Sequence, residues 1–281
     1  GYDIQSGTNK GYQFTAGNDL LSADFVRSAL DQDYQDLDIR VYPEVDSTNN
    51  EAKRLLAQGQ DQTLLILADQ QTKGRGRQGR VFFSPKGTGL YMTLVIHPQV
   101  ELAGVLPATT MASVAVARAI RKLTDKEPQI KWVNDLYLED KKICGILTEA
   151  VSDCETATVQ SLLLGIGVNT TTVDFPAELA GIGSALHVSG LSRNQLAAEI
   201  VNQLLPLTSH LDDHRYLEDY RRFSMVLGKS ILYYIQGIAY PAQAIAIDDQ
   251  GGLVIRTPEG EERTLSSGEI SLRLAGQKPP Q

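Results

Sequence analysis

The sequence predicts an α+β fold, in which a mixed β-sheet with helices packed on one face precedes a small barrel-like β domain. Between residues 22 and 227, apolar strand-like segments alternate with amphipathic helical segments, but without the strict strand–helix–strand order of a parallel sheet. From Gly228 the pattern changes to short strands separated by glycine-rich turns, which is typical of a small all-β domain.

The predicted elements follow from the spacing of apolar residues and from capping and turn residues. Before residue 100 they comprise a β-hairpin at residues 1–14, a helix after the cap-like Ser22, a strand at 39–45, a helix from Ser47 to Gly59, and strands at 63–71 and 89–98. They continue with an alanine-rich helix at 102–124, two short strands joined by an E-D-K-K turn within 129–151, a strand at 158–170, and helices at 192–211 and 216–228. The predicted domains are residues 1–21, 22–227 and 228–281.

The composition excludes several classes of protein. The 281 residues are 42% hydrophobic, which is enough for a sizeable core. A formal net charge of -8 argues against a general electrostatic grip on nucleic acid, although it permits a local basic pocket. Cys144 and Cys154 form neither a disulfide framework nor a zinc motif, so we expect reduced thiols in a cytoplasmic protein. No apolar run reaches the length of a membrane span or resembles a signal segment.

The segment GRGRQG (74–79) matches the G-x-G-x-x-G spacing of dinucleotide-binding loops. In such loops the glycines open directly into a helix, whose N-terminus receives the pyrophosphate. Here RVFFSPKGTG (80–89) follows and leads into another strand, so no helix is predicted there. This context argues against an NAD-dependent oxidoreductase.

The same loop carries three arginines, at positions 75, 77 and 80. Guanidinium groups bind carboxylates and phosphates through paired hydrogen bonds, and glycines allow backbone N–H groups to approach a ligand. Phe82 and Phe83 follow, and aromatic rings beside arginines indicate a loop that folds over a planar ligand. A solvated basic surface loop is the alternative interpretation.

Six motifs occur along the chain in a fixed order: DSTNNEA (46–52), KGRGRQGRVFFSP (73–85), KWVNDL (131–136), KKICGILTE (141–149), GIGVN (165–169) and GEISLR (268–273). Together they closely resemble the motif series of the biotin protein ligases. The resemblance implies a catalytic core like that of class II aminoacyl-tRNA synthetases and an SH3-like C-terminal domain. One departure is Val133, where the family commonly has proline.

The resemblance also implies an activity. Biotin protein ligases join biotin to ATP, giving biotinyl-5′-adenylate and pyrophosphate, with Mg²⁺ as the metal. They then transfer the biotinyl group to a lysine of a biotin carboxyl carrier domain, here expected in acetyl-CoA carboxylase or pyruvate carboxylase. Two anions must be neutralised together, and the mixed anhydride must be kept from water.

For biotin, the resemblance implies binding by Ser47, Thr48, Asn49, Gln71, Gly74, Arg75, Gly76, Arg77, Lys142 and Gly145. Hydroxyls and amides suit the neutral ureido ring, which offers both donors and acceptors. Ser47 or Thr48 would also serve as a helix cap. Arg75 and Arg77 are expected to hold the biotin carboxylate and later the acyl-phosphate, on a loop that is mobile when empty.

For ATP, the resemblance implies contacts by Arg80, Phe82, Lys131, Asn134, Asp135, Asn169 and Arg273, with Gly165 and Gly167 beneath the adenine or ribose. Asn134 and Asp135 are expected to hold Mg²⁺. The implied catalytic residues are Arg75, Arg77, Asp135 and Lys142. Lys142 is favoured over Lys141 because it leads directly into the apolar segment ICGIL. A simple turn at 134–135 and a surface charge at Arg273 are the alternatives.

The hairpin at residues 1–14 resembles the wing of the winged helix-turn-helix domain in the bifunctional ligase–repressor members of the family. We therefore expect a protein whose DNA-reading helices are missing from this chain, and which is a homodimer. Only the protein with its N-terminal domain would bind operator DNA and repress transcription. A lipoate or octanoate protein ligase and a non-catalytic biotin sensor are the alternative functions.

Overall fold

The computed structural model describes residues 4–7, 11–14, 19–98, 100–101, 105–152, 158–235, 238–266 and 273–274, with the backbone alone at 4–7, 11–14, 100–101, 158 and 273–274. Strands β1 (Ile4–Gly7) and β2 (Gly11–Phe14) pair antiparallel, so the predicted hairpin is confirmed. Cys154 and residues 268–272 of the GEISLR motif lie outside the described residues.

The central sheet contains eight of the described strands. These strands are β3 (Asp38–Tyr42), β4 (Leu64–Ala68), β5 (Gly89–Ile96), β6 (Val100–Glu101), β7 (Gln129–Lys131), β8 (Asp135–Leu138), β9 (Lys141–Ser152) and β10 (Thr158–Asn169). Their order is β3-β4-β5-β10-β9-β8-β7, and β6 pairs with β10. Since only β3 and β4 are parallel, the predicted mixed sheet is confirmed.

The segment 129–151 forms three strands, whereas two were predicted. The additional strand, β7, arises because the KWVND segment makes a turn of its own between β7 and β8. Glu139 and Asp140 form the next turn, with φ values of 48° and 64°, in the left-handed region used by two-residue hairpin turns.

Five α-helices lie within the described residues: α1 (Ala23–Ser28), α2 (Thr48–Ala57), α3 (Val105–Leu123), α4 (Arg193–Thr208) and α5 (Leu217–Phe223). Helices α1, α3, α4 and α5 contribute to one large core on one face of the sheet, as predicted. Helix α2 is the exception, because it packs on the opposite face in a separate small cluster. No helix in the described part of the chain is long and apolar enough to cross a bilayer.

The pleat of β10 separates these two faces. Leu162, Leu164 and Ile166 enter the large core, whereas Leu163 packs with α2. Because successive strand residues point to opposite faces, Gly165 and Gly167 share the α2 face with Leu163. The α2 face therefore has two positions without side chains at the C-terminal end of β10.

A buried arginine connects the start of the described chain to this core. The side chain of Arg193 is only 3% exposed and forms ion pairs with Asp19 and Asp69, both at 2.8 Å. It also donates a hydrogen bond to the Gly89 carbonyl at 3.1 Å. Since a buried charge is costly unless it is paired, this cluster fixes residue 19 against β4 and β5.

The C-terminal domain is a five-stranded antiparallel sheet, which confirms the predicted all-β domain. Its strands are β11 (Ser230–Ile235), β12 (Ile238–Ile247), β13 (Leu253–Arg256), β14 (Glu262–Leu265) and β15 (Arg273–Leu274), in the order β14-β13-β12-β11-β15. The DDQGG turn is closed by the Asp248 carboxylate, which accepts hydrogen bonds from the backbone N–H groups of Gln250 and Gly252. The Gly251 carbonyl accepts a hydrogen bond from Trp132 Nε1 at 2.9 Å, which joins this turn to the core.

Candidate active site

A polar cup forms where α2 begins. Ser47 occupies the N-cap position, but neither Ser47 nor Thr48 caps the helix through its side chain, so that expectation was wrong. The Asp46 carboxylate accepts from the Ser47 backbone N–H, and the Thr48 backbone N–H donates to Gln71 Oε1 at 2.9 Å. The Ser47 hydroxyl, which lines the cleft described below, has no hydrogen-bond partner among the described residues.

Asn49 extends the cup onto the sheet. Its Oδ1 accepts a hydrogen bond from Thr93 Oγ1 at 2.7 Å, and its Nδ2 donates to the Leu147 carbonyl and to Glu149. Thr93 was not predicted as a site residue, although its sequence signal is a single hydroxyl in the otherwise apolar strand GLYMTLVI. Because every polar atom of the Asn49 amide is engaged, its orientation is fixed.

The glycines of β9 and β10 form the floor. A Cβ on Gly165 would lie 2.3 Å from Asn49 Oδ1, and one on Gly167 would lie 2.5 Å from the Phe82 ring. The Phe82 ring also lies 3.2 Å from the Cβ position of Gly145. Gly165 therefore lies beside the polar cup, and Gly167 lies against the Phe82 ring.

The arginine–glycine loop folds as a short hairpin above this floor. Arg75 and Val81 form an antiparallel bridge, and the Gly76 N–H donates to the Arg80 carbonyl at 2.7 Å. The tip turns through Gln78 and Gly79, with φ values of 55° and 75°. Residues 75 and 80 are both exposed, but the guanidinium groups of positions 75 and 77 reach Glu149 of β9 and Asn134 respectively.

Arg75 reaches the end of the cup. Its Nη1 donates to Glu149 Oε2 at 3.0 Å and to Asn50 Oδ1 at 3.1 Å. Lys53 Nζ lies 2.7 Å from the other Glu149 oxygen. Burial acts to raise the pKa of Glu149, but the hydrogen bonds from Lys53 and Asn49 outweigh it, so the pKa lies below its ordinary value. Sequence reasoning assigned no role to Glu149, although it ends the KKICGILTE motif.

Arg77 contacts the Asn134-Asp135 segment instead. Its Nη1 donates to Asn134 Oδ1 at 3.2 Å, and Asn134 Nδ2 donates to the Ile146 carbonyl at 2.7 Å. Burial lowers the pKa of the Arg77 guanidinium, and the negative charge of Asp135 opposes that shift. The two predicted anion-binding arginines therefore have different neighbours.

Side-chain hydrogen bonds fix the backbone of the turn just before Asn134. The Val133 carbonyl accepts hydrogen bonds from Ser113 Oγ at 3.2 Å and from the Tyr220 hydroxyl at 3.0 Å. On the preceding residue, Trp132 is anchored to the C-terminal domain. The backbone at Val133 is therefore held by these hydrogen bonds, although valine lacks the ring of the proline that the family commonly has here.

Asp135 and Lys142 form an ion pair at 2.7 Å, and both side chains are largely buried. Lys141 is exposed, so the prediction that Lys142 is the inward-pointing lysine is confirmed. The Lys142 Nζ also lies 3.2 Å from the Cβ position of Gly145. The pair thus lies beside the glycine floor.

Two adjoining cavities result, and both are bordered by Leu147. The cleft is lined by Ser47, Thr48, Asn49, Gln71, Arg75, Phe82, Gly145, Leu147, Gly165, Ile166 and Gly167. It leaves about 20 Å³ of free space, roughly that of one water molecule. A side cavity of about 300 Å³ is lined by Arg77, Gln78, Val105, Thr109, Ile146, Leu147 and Thr148. Side chains over the cleft must therefore move before a bicyclic ligand enters.

The other described residues predicted to contact ATP are not among those that line the two cavities. Asn169 is buried and donates to the Ser184 carbonyl, while its Oδ1 has no partner within the described part of the chain. The Lys131 ammonium lies over the Tyr137 ring, 5.2 Å from its centroid, and lines neither cavity. Arg80 is exposed, and the side chain of Arg273 lies outside the described residues.

Comparison with known proteins shows which family this chain belongs to. Residues 41–169 match the family model described as Biotin/lipoate A/B protein ligase family, and residues 237–273 match the Biotin protein ligase C terminal domain. The biotin–[acetyl-CoA-carboxylase] ligase of Paracoccus denitrificans is 30% identical over 228 residues, covering 77% of this chain and 93% of that protein. The chain belongs to the biotin protein ligase family.

Other members extend the similarity to nearly the whole chain. The bifunctional ligase/repressor BirA of Bacillus subtilis (strain 168) is 29% identical over 275 residues, covering 95% of this chain and 84% of that protein. The solved structure of the biotin protein ligase from Aquifex aeolicus in complex with biotin and ATP superposes with a TM-score of 0.71. It is 27% identical, and the match covers 85% of this chain and 99% of that one, which confirms the predicted biotin protein ligase fold.

The glycine floor predicts a steric effect on stability. Gly165→Ala places a methyl group against the fixed Asn49 amide, so we expect a loss of about 1–3 kcal/mol in the free energy of unfolding. Urea denaturation measures it. Gly181→Ala is the matched control, because a Cβ there has no heavy atom within 4 Å. Equal stability of the two variants would contradict the close packing of Gly165.

Proposed function

We propose that this chain activates biotin with ATP as biotinyl-5′-adenylate and transfers the biotinyl group to one lysine of a biotin carboxyl carrier domain. Ligase activity with biotin and ATP is the activity of the family to which the chain belongs. One observation supports the proposal most strongly: a neutral polar cup lies beside a cationic loop above a floor of glycines. This arrangement matches a ligand with a neutral polar head and an anionic tail.

The polar cup favours biotin over lipoate. The ureido ring of biotin has two N–H donors and a carbonyl acceptor, which the side chains of Ser47, Thr48, Asn49 and Gln71 can satisfy. The dithiolane ring of lipoate offers no comparable hydrogen bonds, so it would leave the buried Ser47 hydroxyl without a partner. Unpaired buried polar groups cost about 1–3 kcal/mol each.

In the first step, a biotin carboxylate oxygen attacks the α-phosphorus of ATP. The bond from that phosphorus to the bridging oxygen breaks, and pyrophosphate leaves. Arg75 and Lys142 flank the cleft, and Arg77 lies across Leu147 from it, so their cations offset the repulsion between the two anions. Gly74 and Gly76 allow the loop backbone to approach the same anions.

In the second step, the amine of the carrier lysine attacks the biotinyl carbonyl, the bond to the phosphate oxygen breaks, and AMP leaves. The amine must lose a proton, and Asp135 is the carboxylate placed to accept it. Its pairing with Lys142 at 2.7 Å holds it beside the glycine floor, where the proposal puts the acyl group of the adenylate. A non-catalytic sensor would not need this pair.

Mg²⁺ fits Asp135, because magnesium in phosphate sites is commonly held by one or two carboxylates together with substrate phosphates. The Asn134 amide oxygen accepts a hydrogen bond from Arg77, and the Asp135 carboxylate is paired with Lys142, so each would share its present contact with the metal. Bound there, Mg²⁺ would neutralise charge on the phosphates of ATP.

The adenine side of the site extends along β10. Asn169 Oδ1 is a buried acceptor without a described partner, which suits the exocyclic amine of adenine. Phe82 and Gly167 lie between Asn169 and the polar cup. The proposal also includes three outer contacts to the phosphates of ATP, by Arg80, Lys131 and Arg273. Arg80 would make its contact after the arginine–glycine loop rearranges.

The proposal also covers the protein's partners and its cellular location. A relative named biotin–[acetyl-CoA-carboxylase] ligase supports a biotin carboxyl carrier domain of acetyl-CoA carboxylase as the acceptor, and we extend the proposal to that of pyruvate carboxylase. A relative named bifunctional ligase/repressor supports a second role in repression, for which operator DNA and a homodimer are our own expectations from the sequence. The free cysteine Cys144 is buried and suits a cytoplasmic location.

The proposal predicts that isotope exchange between ATP and pyrophosphate depends on biotin. Adding lipoate or octanoate in place of biotin should give exchange near the background level, because the polar cup would be unsatisfied. Transfer of labelled biotin to a purified carrier domain then tests the second step. Exchange supported equally by lipoate would contradict the assignment to biotin.

A second prediction compares the two adjacent lysines. Lys142→Met removes a cation from the site and should lower kcat/KM for adenylate formation by about 10–100-fold, which corresponds to one charged hydrogen bond. Lys141→Met removes an exposed cation of the same type and should leave kcat/KM within about twofold. Similar losses in both variants would count against the assigned role of Lys142.

A further inference from the structure

Glu149 collects three donors at the far end of the cleft. Its Oε2 accepts from Asn49 Nδ2 at 2.9 Å and from Arg75 Nη1 at 3.0 Å, while its Oε1 accepts from Lys53 Nζ at 2.7 Å. Its side chain is 17% exposed. A carboxylate so largely removed from water, with three donors, is held in one position.

The guanidinium of Arg75 is consequently held along one edge only. Its Nη1 is shared between Glu149 and Asn50, but no described residue accepts a hydrogen bond from Nε or Nη2. Arg75 lines the cleft, and its side chain is 39% exposed. The Nε and Nη2 donors are therefore available for a second anion without breaking the contact to Glu149.

The anions of the proposed reaction fit these free donors. The carboxylate of biotin and the phosphate of an acyl-adenylate both accept hydrogen bonds from the edge of a guanidinium group.

We propose that Glu149 is a positioning residue, which orients the guanidinium of Arg75 so that its free donors meet the carboxyl end of biotin. This inference rests on the proposed function and assigns a role to a residue outside the expected site. Glu149 lines neither cavity. It acts only through Arg75.

A purely structural role is the competing interpretation. Glu149 also joins β9 to α2 through Asn49 and Lys53, and this link alone would stabilise the fold. The two interpretations differ in one respect. A positioning role requires Arg75, whereas a structural role does not.

A double-mutant cycle separates them. The dissociation constant of biotin is measured by calorimetry for the wild-type chain, Glu149→Gln, Arg75→Ala and the double variant. We expect Glu149→Gln to weaken biotin binding about tenfold, the effect of one charge-assisted hydrogen bond, in the wild-type background. In the Arg75→Ala background the same change should weaken binding less than about twofold, because the group being oriented is gone.

Lys53→Met is the matched control, because it removes the other cation from Glu149 while leaving the contact to Arg75. It should leave biotin binding within about twofold. Thermal unfolding of each variant checks that it is folded. If Glu149→Gln unfolds, Glu149→Asp replaces it, since aspartate keeps the charge but its shorter side chain draws back from Arg75.

The outcomes are distinguishable. A full tenfold effect of Glu149→Gln in the Arg75→Ala background, an unchanged affinity in the single variant, or an equal loss in Lys53→Met would each overturn the positioning role alone. Failure of the wild-type chain to bind biotin would overturn the proposed function, and the inference with it.

Discussion

The repulsion between a carboxylate and a nucleoside triphosphate is the constraint that this site must overcome. Water screens that repulsion, but water also hydrolyses the anhydride that the reaction produces. The structure places fixed cations there instead: Arg75 at the cleft, Arg77 in the side cavity, and Lys142 beside the glycine floor. Each cation has its own acidic or amide partner, and we expect the hairpin that carries Arg75 and Arg77 to close further when anions bind.

The central sheet makes this arrangement possible because one of its faces forms the apolar core and the other forms the floor of the site. Along β10, the large apolar side chains enter the large core that α3 covers, and the glycines face α2. A flat floor and a rigid core thus come from alternate residues of one strand. The C-terminal domain contributes from outside, since its Gly251 carbonyl accepts a hydrogen bond from Trp132 within the KWVND turn.

Much of this could be predicted from the sequence, for identifiable reasons. The strands and helices were visible in the spacing of apolar residues, and the glycines and arginines at 74–80 indicated an anion-binding loop. Glu149 and Thr93 were missed because their roles arise from contacts between strands and α2, which are distant in sequence. The position of α2 on the opposite face was also missed, since amphipathicity shows that a helix is half-buried but not on which face it packs.

Hydrogen–deuterium exchange of the backbone amides at 74–83 tests most directly whether the arginine–glycine loop closes over the bound anions. Exchange would be followed in the free protein, with biotin, and with biotin and ATP, using α4 as an internal reference. The account predicts slower exchange with biotin, slower still when the adenylate forms, and no change in α4. Equal exchange of residues 74–83 in all three states would contradict it.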